Sequence, residues 1–258
     1  MTVLQMPPRW ALVPGVARVQ DCLDGGDSHF DCDRRLAARL LAAARWLPDS
    51  VRINRAHGPR VLDCFTTELG IDQVLDLGCG YPHDENRRLP DAVRRIVHVD
   101  DDPVVIGHAH TVLAARPGAA AVRGDLTQLP ALLAHPEVAA LDRGRPVGVL
   151  LHDVLPWMAD HHARALLAGL REWLPPGSAV SVTHATDDLA PRATAELIDV
   201  YAEAGIAFRP RSVDHLESLL RPWPLLDGHG PVTTAEWRSP STYARLDNSH
   251  AYAAVALA

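Results

Sequence analysis

The run Val74-Leu75-Asp76-Leu77-Gly78-Cys79-Gly80-Tyr81-Pro82 constrains this chain more than any other stretch. Apolar residues lead into a carboxylate, and two glycines at alternate positions then force a tight turn. A buried parallel strand hands over to a helix in this way, leaving bare backbone that a ligand can approach. A second apolar run, Ile96-Val97-His98-Val99, ends in Asp100, twenty residues beyond Gly80. In a doubly wound fold a carboxylate at about that distance hydrogen-bonds the ribose of a nucleoside.

From residue 71 onward the pattern alternates. Strands are expected at 74–77, 96–99, 120–122, 147–151 and 179–183, the last three ending near Asp125-Leu126, His152-Asp153 and His184. Asp102-Pro103 reads as a helix start, with Asp as N-cap and Pro at the first helical position. Further helices are expected from Asp160, as N-cap, to Leu174 and from Pro191 to Ala204. The tail offers two more strands, Val232–Trp237 and His250–Leu257. Strands alternating with helices imply an α/β fold with a mostly parallel sheet covered on both faces. Residues 1–15 are a Pro-rich leader expected to be loosely ordered, and residues 16–70 show helical spacing without a strand: 17–23, stopped by Gly25-Gly26, then 31–46, then 51–69, kinked or broken at Gly58-Pro59. Together, residues 1–70 form a natural cap or lid, with residues 71–258 as the ligand-binding domain.

The net charge is −7 and the pI about 6.0, which argues against nucleic acid or an anionic membrane as partner. There is no lysine, so neither Schiff-base chemistry nor a lysine phosphate clamp is available. Cys22, Cys32, Cys64 and Cys79 form no C-x-x-C pair and read as free thiols. No run approaches the roughly 18 apolar residues that span a bilayer. A cytoplasmic protein is expected.

Ligands of an open α/β sheet sit beyond the carboxyl ends of the strands. This chain puts there Asp76, the two glycines, Asp100, Asp101, Asp125, His152, Asp153 and His184. Carboxylates and histidines without lysine suit a cation that carries hydroxyls and amines, as S-adenosylmethionine does. A dinucleotide wants a third glycine for its pyrophosphate, whereas here the run continues Tyr81-Pro82-His83.

The chain resembles class I S-adenosylmethionine-dependent methyltransferases, and more narrowly the bacterial family known simply as S-adenosyl methyltransferase. The resemblance rests on residues 14–19 (Pro-Gly-Val-Ala-Arg-Val), Gly25-Gly26, Asn54-Arg55, residues 75–82, residues 99–104, Asp125-Leu126 and residues 183–186 (Thr-His-Ala-Thr). It implies a Rossmann-like seven-stranded sheet with an antiparallel last strand. It also implies that Gly78 and Gly80 pack against the methionine part, that Asp100 takes the ribose hydroxyls, and that Asp125 takes the adenine amine with the Leu126 backbone beside it. Residue 152 would border methionine and substrate. Asp76, Cys79 and Asp101 fall within the same cofactor motifs, and Arg55 is a candidate for the cofactor carboxylate.

Departures from the family pattern cluster elsewhere. Gln20-Asp21-Cys22 stands where Tyr-Asp-Tyr is usual, residues 25–30 read Gly-Gly-Asp-Ser-His-Phe for Gly-Gly-Lys-Asp-Asn-Phe, and residues 155–157 read Leu-Pro-Trp for Leu-His-Phe. His152 and Asp153 replace apolar or small residues. The cofactor half is kept and the substrate half rewritten. Asp21, His29 and Trp157 are therefore the substrate-binding candidates, and His152, His184 and Asp153 the catalytic ones. Neighbours on a strand point to opposite sides, so one of His152 and Asp153 is expected to face the substrate. His108-x-His110 and His161-His162 do not share a helix face in a way that binds metal, and no metal site is expected. The expected activity is methyl transfer to a small molecule, a specialised metabolite, with a hydroxyl acceptor preferred over an amine. The alternatives are a protein that binds the cofactor without methylating, and an NAD-dependent oxidoreductase. A homodimer is an open alternative to a monomer.

Overall fold

A computed structural model of the protein describes residues 9–81, 91–239 and 248–258. The start of the Pro-rich leader and the polar stretch from Pro82, which includes His83, lie outside the described residues. Seven strands form one sheet: β1 (Gln73–Leu77), β2 (Arg95–Asp100), β3 (Ala119–Arg123), β4 (Gly148–His152), β5 (Ala179–Ala185), β6 (Val232–Thr233) and β7 (Ala251–Leu257). Their order is β3-β2-β1-β4-β5-β7-β6. The first five run parallel, and β7 enters antiparallel between β5 and β6. This is the class I methyltransferase arrangement, and the expected strands match it to within two residues except at β6. Val232 begins a strand of two residues, after which residues 234–238 turn.

β1 is buried along its whole length and β4 for all but its last residue. Both faces are covered, which is why these strands read as unbroken apolar runs. One face carries Leu75, Leu77, Val97, Val99 and Leu151 against α8 (Asp160–Trp173) and α10 (Val213–Leu220). The other carries Val74, Ile96 and Leu150 against Val61, Leu62 and Phe65.

The helical preface consists of α1 (Val16–Asp24), α2 (Asp31–Ala43), α3 (Leu47–Arg55) and α4 (His57–Thr67). α1 ends on Gly25 at φ 87°, as a left-handed cap requires. The break in the third expected helix falls at Ala56, not at Gly58-Pro59. Pro59 sits in the first turn of α4, where its missing N–H has no intrahelical partner to lose. α1–α3 share an apolar cluster with Leu197 and Tyr201 of α9 (Pro191–Glu203), whereas α4 packs on the sheet itself. At α5 (Pro103–Leu113), which the short α6 (Leu129–Leu133) and α7 (Pro136–Ala139) follow along the chain, the Asp102 carboxylate caps the Val104 amide at 2.9 Å, as expected. At α8 the N-cap is Ala159 and Asp160 is the first helical residue. The Asp160 carboxylate turns instead to Arg211 Nη2 and His215 Nε2, each at 2.8 Å.

Candidate active site

The sheet order reverses between β1 and β4, and there Gly78 (φ 67°) and Gly80 (φ 58°) take left-handed backbone. A Cβ on Gly78 would come within 2.6 Å of Val154 Cγ2, so a side chain has neither the backbone nor the room. The Cys79 amide donates to the Val99 carbonyl at 2.9 Å. The Gly80 amide donates to Asp100 Oδ2 and the Asp102 amide to Asp100 Oδ1, each at 3.0 Å. Burial pushes the Asp100 carboxyl up to about 6 against the lowering effect of those amides.

Under the loop, His98 Nδ1 meets Asp76 Oδ2 at 2.8 Å, because the parallel register sets the two residues side by side on β2 and β1. Asp76, Cys79 and His98 each hold a potential ligand atom within 4.8 Å of the others. The sequence reading, which expected no metal, passed over this group. In it Asp76 is engaged by His98, and burial pushes the Cys79 thiol well up, away from the thiolate that metals prefer. The histidine pairs weighed from sequence lie elsewhere: His161 and His162 are exposed on α8, and His110 bonds the Ala121 carbonyl.

A cavity of about 910 Å³ runs from the loop between the sheet end and α1, α3 and α9, with Asp76, Gly78, His152, Asp153, Trp157 and Tyr201 among its walls. Both His152 and Asp153 face it, although neighbours on a strand would diverge. The reason is backbone: Asp153 has left the strand at φ 55°. It is held there by its amide, which donates to the Thr183 carbonyl at 3.1 Å and to Thr183 Oγ1 at 2.9 Å. A left-handed non-glycine residue stores strain of about 1–3 kcal/mol, and here the strain aims a carboxylate into the cavity. Gln20 Nε2 of α1 donates to that carboxylate. Burial pushes it up to about 7, against the lowering effects of Gln20 and of the Trp157 indole; Trp157 Nε1 stays outside hydrogen-bonding geometry. Among the described residues no cation lies in ion-pair reach of Asp153. Trp157 packs with Tyr201 and Phe208 at ring-centroid distances of 5.1 and 4.8 Å, an aromatic wall next to the carboxylate.

Other expected site residues fall elsewhere. His184 points to the opposite face of β5 from Thr183 and Ala185, which line the cavity. Its Nδ1 donates to the Ala185 carbonyl at 2.7 Å and its Nε2 accepts from Arg211 Nη1 at 2.8 Å. Burial pushes it down to about 3. It is a fixed neutral bridge, not a base in the cavity. Asp21 and His29 are also taken up internally: Asp21 Oδ2 accepts from the Ser28 amide at 2.8 Å and meets His29 Nδ1 at 3.0 Å, closing the 25–29 turn away from the cavity. Arg55 reaches the cavity wall but is ion-paired to Asp24 of α1. Asp101 and Asp125 are exposed at the ends of β2 and β3 and Leu126 is half-buried. Asp125 Oδ1 turns back to the Thr127 amide at 2.8 Å.

Sequence reasoning also gave no role to an arginine of α1. Arg18 is almost wholly buried, with Nε on Asp33 Oδ2 at 3.1 Å, Nη1 on Asp102 Oδ2 at 2.5 Å, and Nη2 on the Trp10 and Val13 carbonyls. It ties the capping helices to the loop that follows the Asp100 carboxylate. Its position in the motif at 14–19 was the only signal.

Two left-handed glycines, one of them without room for a side chain, a carboxylate at the end of β2 and a roomy cavity beyond them fit S-adenosylmethionine. Together with the strand order, they define a class I S-adenosylmethionine-dependent methyltransferase. The family model described as S-adenosyl methyltransferase matches residues 11–258, and the chain belongs to that family. A DUF574-family protein from Streptomyces avermitilis is 26% identical, with 96% of this chain and 98% of that one covered at a TM-score of 0.88. A methyltransferase assigned by resemblance from Thermobifida fusca is 29% identical, with 98% of each chain covered at a TM-score of 0.87. A methyltransferase from Mesorhizobium loti, 15% identical over 80% of this chain and 100% of that one at a TM-score of 0.53, shares the fold alone. No functionally curated protein matches the sequence. No helix among the described residues is long and apolar enough to cross a membrane.

Proposed function

We propose that the protein methylates a small-molecule amine held between the glycine loop and Asp153, with α1–α3 as its cover. The cofactor supplies an electrophilic methyl on a sulfonium. The chain supplies position, which in favourable cases is worth about 7–11 kcal/mol. The observation that carries the acceptor is Asp153, a half-buried carboxylate in the cavity wall with no cation in ion-pair reach among the described residues. Without such a partner burial favours the protonated carboxyl, and an acceptor that arrives as a cation supplies the charge that holds it ionised. An ammonium must also lose a proton before it can attack, and a carboxylate near 7 is matched to take it at neutral pH.

The sequence favoured a hydroxyl acceptor because it counted His152 and His184 as bases. His184 lies outside the cavity, and burial pushes His152 down to about 4, which leaves it a weak base. Asp76 and the glycine loop would hold the methionine part, and Asp100 the ribose. A volume of about 910 Å³ is within the range of small-molecule sites and leaves room for a metabolite-sized acceptor beside the cofactor. A specialised metabolite fits that description.

The test uses S-adenosylmethionine carrying a ¹³C methyl group and a small-molecule extract of the native host. The proposal expects new N-methyl carbon signals that require the enzyme. New O-methyl signals would overturn the amine. No enzyme-dependent signal, with the cofactor still bound, would favour a protein that binds it without methylating.

A further inference from the structure

Ser181 Oγ, wholly buried on β5, stands between two imidazoles. It lies 2.8 Å from His152 Nε2 and 3.3 Å from His57 Nε2. The rings meet edge-on at 5.1 Å between centroids. Ser181 Oγ has no third partner among the described residues. His57, the first residue of α4, is fully buried, with the Trp237 ring 4.8 Å away and its Nδ1 unpartnered. Among the described residues His152 Nδ1 has no protein partner, and it opens on the cavity, where a Cβ on Gly58 would stand 3.9 Å from it.

Three neutral arrangements satisfy these distances. If both Nε2 atoms carry protons, both donate to Ser181 and the serine proton is stranded. If Ser181 donates to His57, His57 must carry its proton on the buried Nδ1, again with no acceptor. Only one arrangement strands no donor: His57 Nε2–H donates to Ser181 Oγ, Ser181 donates to His152 Nε2, and the His152 proton sits on Nδ1. It leaves a single bare lone pair on His57 Nδ1. A buried orphan N–H is the rarer and costlier defect.

We infer that His57 and Ser181 are positioning residues that hold His152 in the Nδ1–H tautomer, so that His152 is a hydrogen-bond donor into the cavity and not a base. The chain of hydrogen bonds has no exit for a proton in the other direction. Burial, His152 and the Arg60 guanidinium together push His57 well down from the usual histidine range, so a proton passed through Ser181 would meet a site that rejects it. Resting on the methyl-acceptor reading above, the donor selects an acceptor molecule that also bears a carbonyl or carboxylate oxygen, set apart from the amine at Asp153. The tautomer itself does not depend on that reading.

¹⁵N–¹H correlation through the imidazole rings of histidine-labelled protein at neutral pH reads it directly, with His152→Asn identifying the His152 signals. The expected pattern is His152 protonated on Nδ1 and His57 on Nε2. His152 protonated on Nε2, or on both nitrogens, overturns the inference whatever the acceptor proves to be. Ser181→Ala, a near-isosteric change, is expected to move the bare His152 Nε2 resonance away from its hydrogen-bonded position and to leave the His98 signals unmoved. An unmoved Nε2 resonance overturns the role of the serine.

Discussion

At Gly78, beside the cavity, left-handed backbone and contact with Val154 coincide. Gly78→Ala is predicted to weaken S-adenosylmethionine binding by about tenfold or more, the equivalent of roughly 1.4 kcal/mol, as read by calorimetric titration. Adding Val154→Ala would relieve the contact but not the backbone, and so would restore the affinity only in part. Asp153 makes a different prediction. Its carboxyl is raised in the folded protein to about 7 from 3.8, so between those values the native state holds a proton that the unfolded chain has released. Stability contributed by that proton falls as pH rises through this window. Asp100, raised to about 6, acts in the same sense. His152 and His184, pushed down to about 4 and 3, act in the opposite sense below about pH 6.5. The difference between wild type and Asp153→Asn isolates the one group. The wild type should lose more thermal stability than the variant between pH 4 and 7, and parallel curves would remove the assigned shift. Asn tolerates the left-handed backbone, which keeps this variant folded.

Among the elements, the joint between the capping helices and the β2–α5 loop turns on Arg18. Asp33 is fully buried on α2, and removing its guanidinium partner leaves an uncompensated charge that costs about 3–5 kcal/mol. Arg18→Met is predicted to lower the melting temperature by ~10 °C. By contrast, Arg34→Met, which breaks the exposed pair with Asp31, should change stability by less than about 0.5 kcal/mol. Equal effects would mean that the buried network does not couple these elements. Elements were also where the sequence was most legible. β1, β2 and β4 announce themselves because strands buried on both faces are unbroken apolar runs, and Asp102-Pro103 marks a helix start through chemistry confined to three residues. Less legible were the choices made across the chain. Pro59 was read as a break because its position within the first turn depends on where α4 begins. Asp160 was read as a cap because Arg211, its partner, is 51 residues away.

At the scale of the whole molecule, the glycine loop and the strand ends were readable and the directions of the polar side chains around the cavity were not. Gly78, Gly80 and Asp100 act through backbone and local spacing, which a sequence states directly. The direction of His184, the closure of Asp21 on His29, and the sharing of Ser181 by two histidines depend on which faces the fold brings together. Asp153 reached the cavity by leaving its strand, contrary to the alternation that governs its neighbours. The proposed reaction therefore turns on Asp153, which puts a carboxylate raised to about 7 in the cavity wall beside the glycine loop. The most direct measurement compares wild type and Asp153→Asn for both S-adenosylmethionine affinity and the rate of ¹³C-methyl incorporation into host small molecules. A proton-accepting role for Asp153 predicts affinity within about threefold and incorporation slowed by about 10²–10⁴-fold. Equal incorporation by the two proteins, or a loss of affinity as large as the loss of rate, would contradict it.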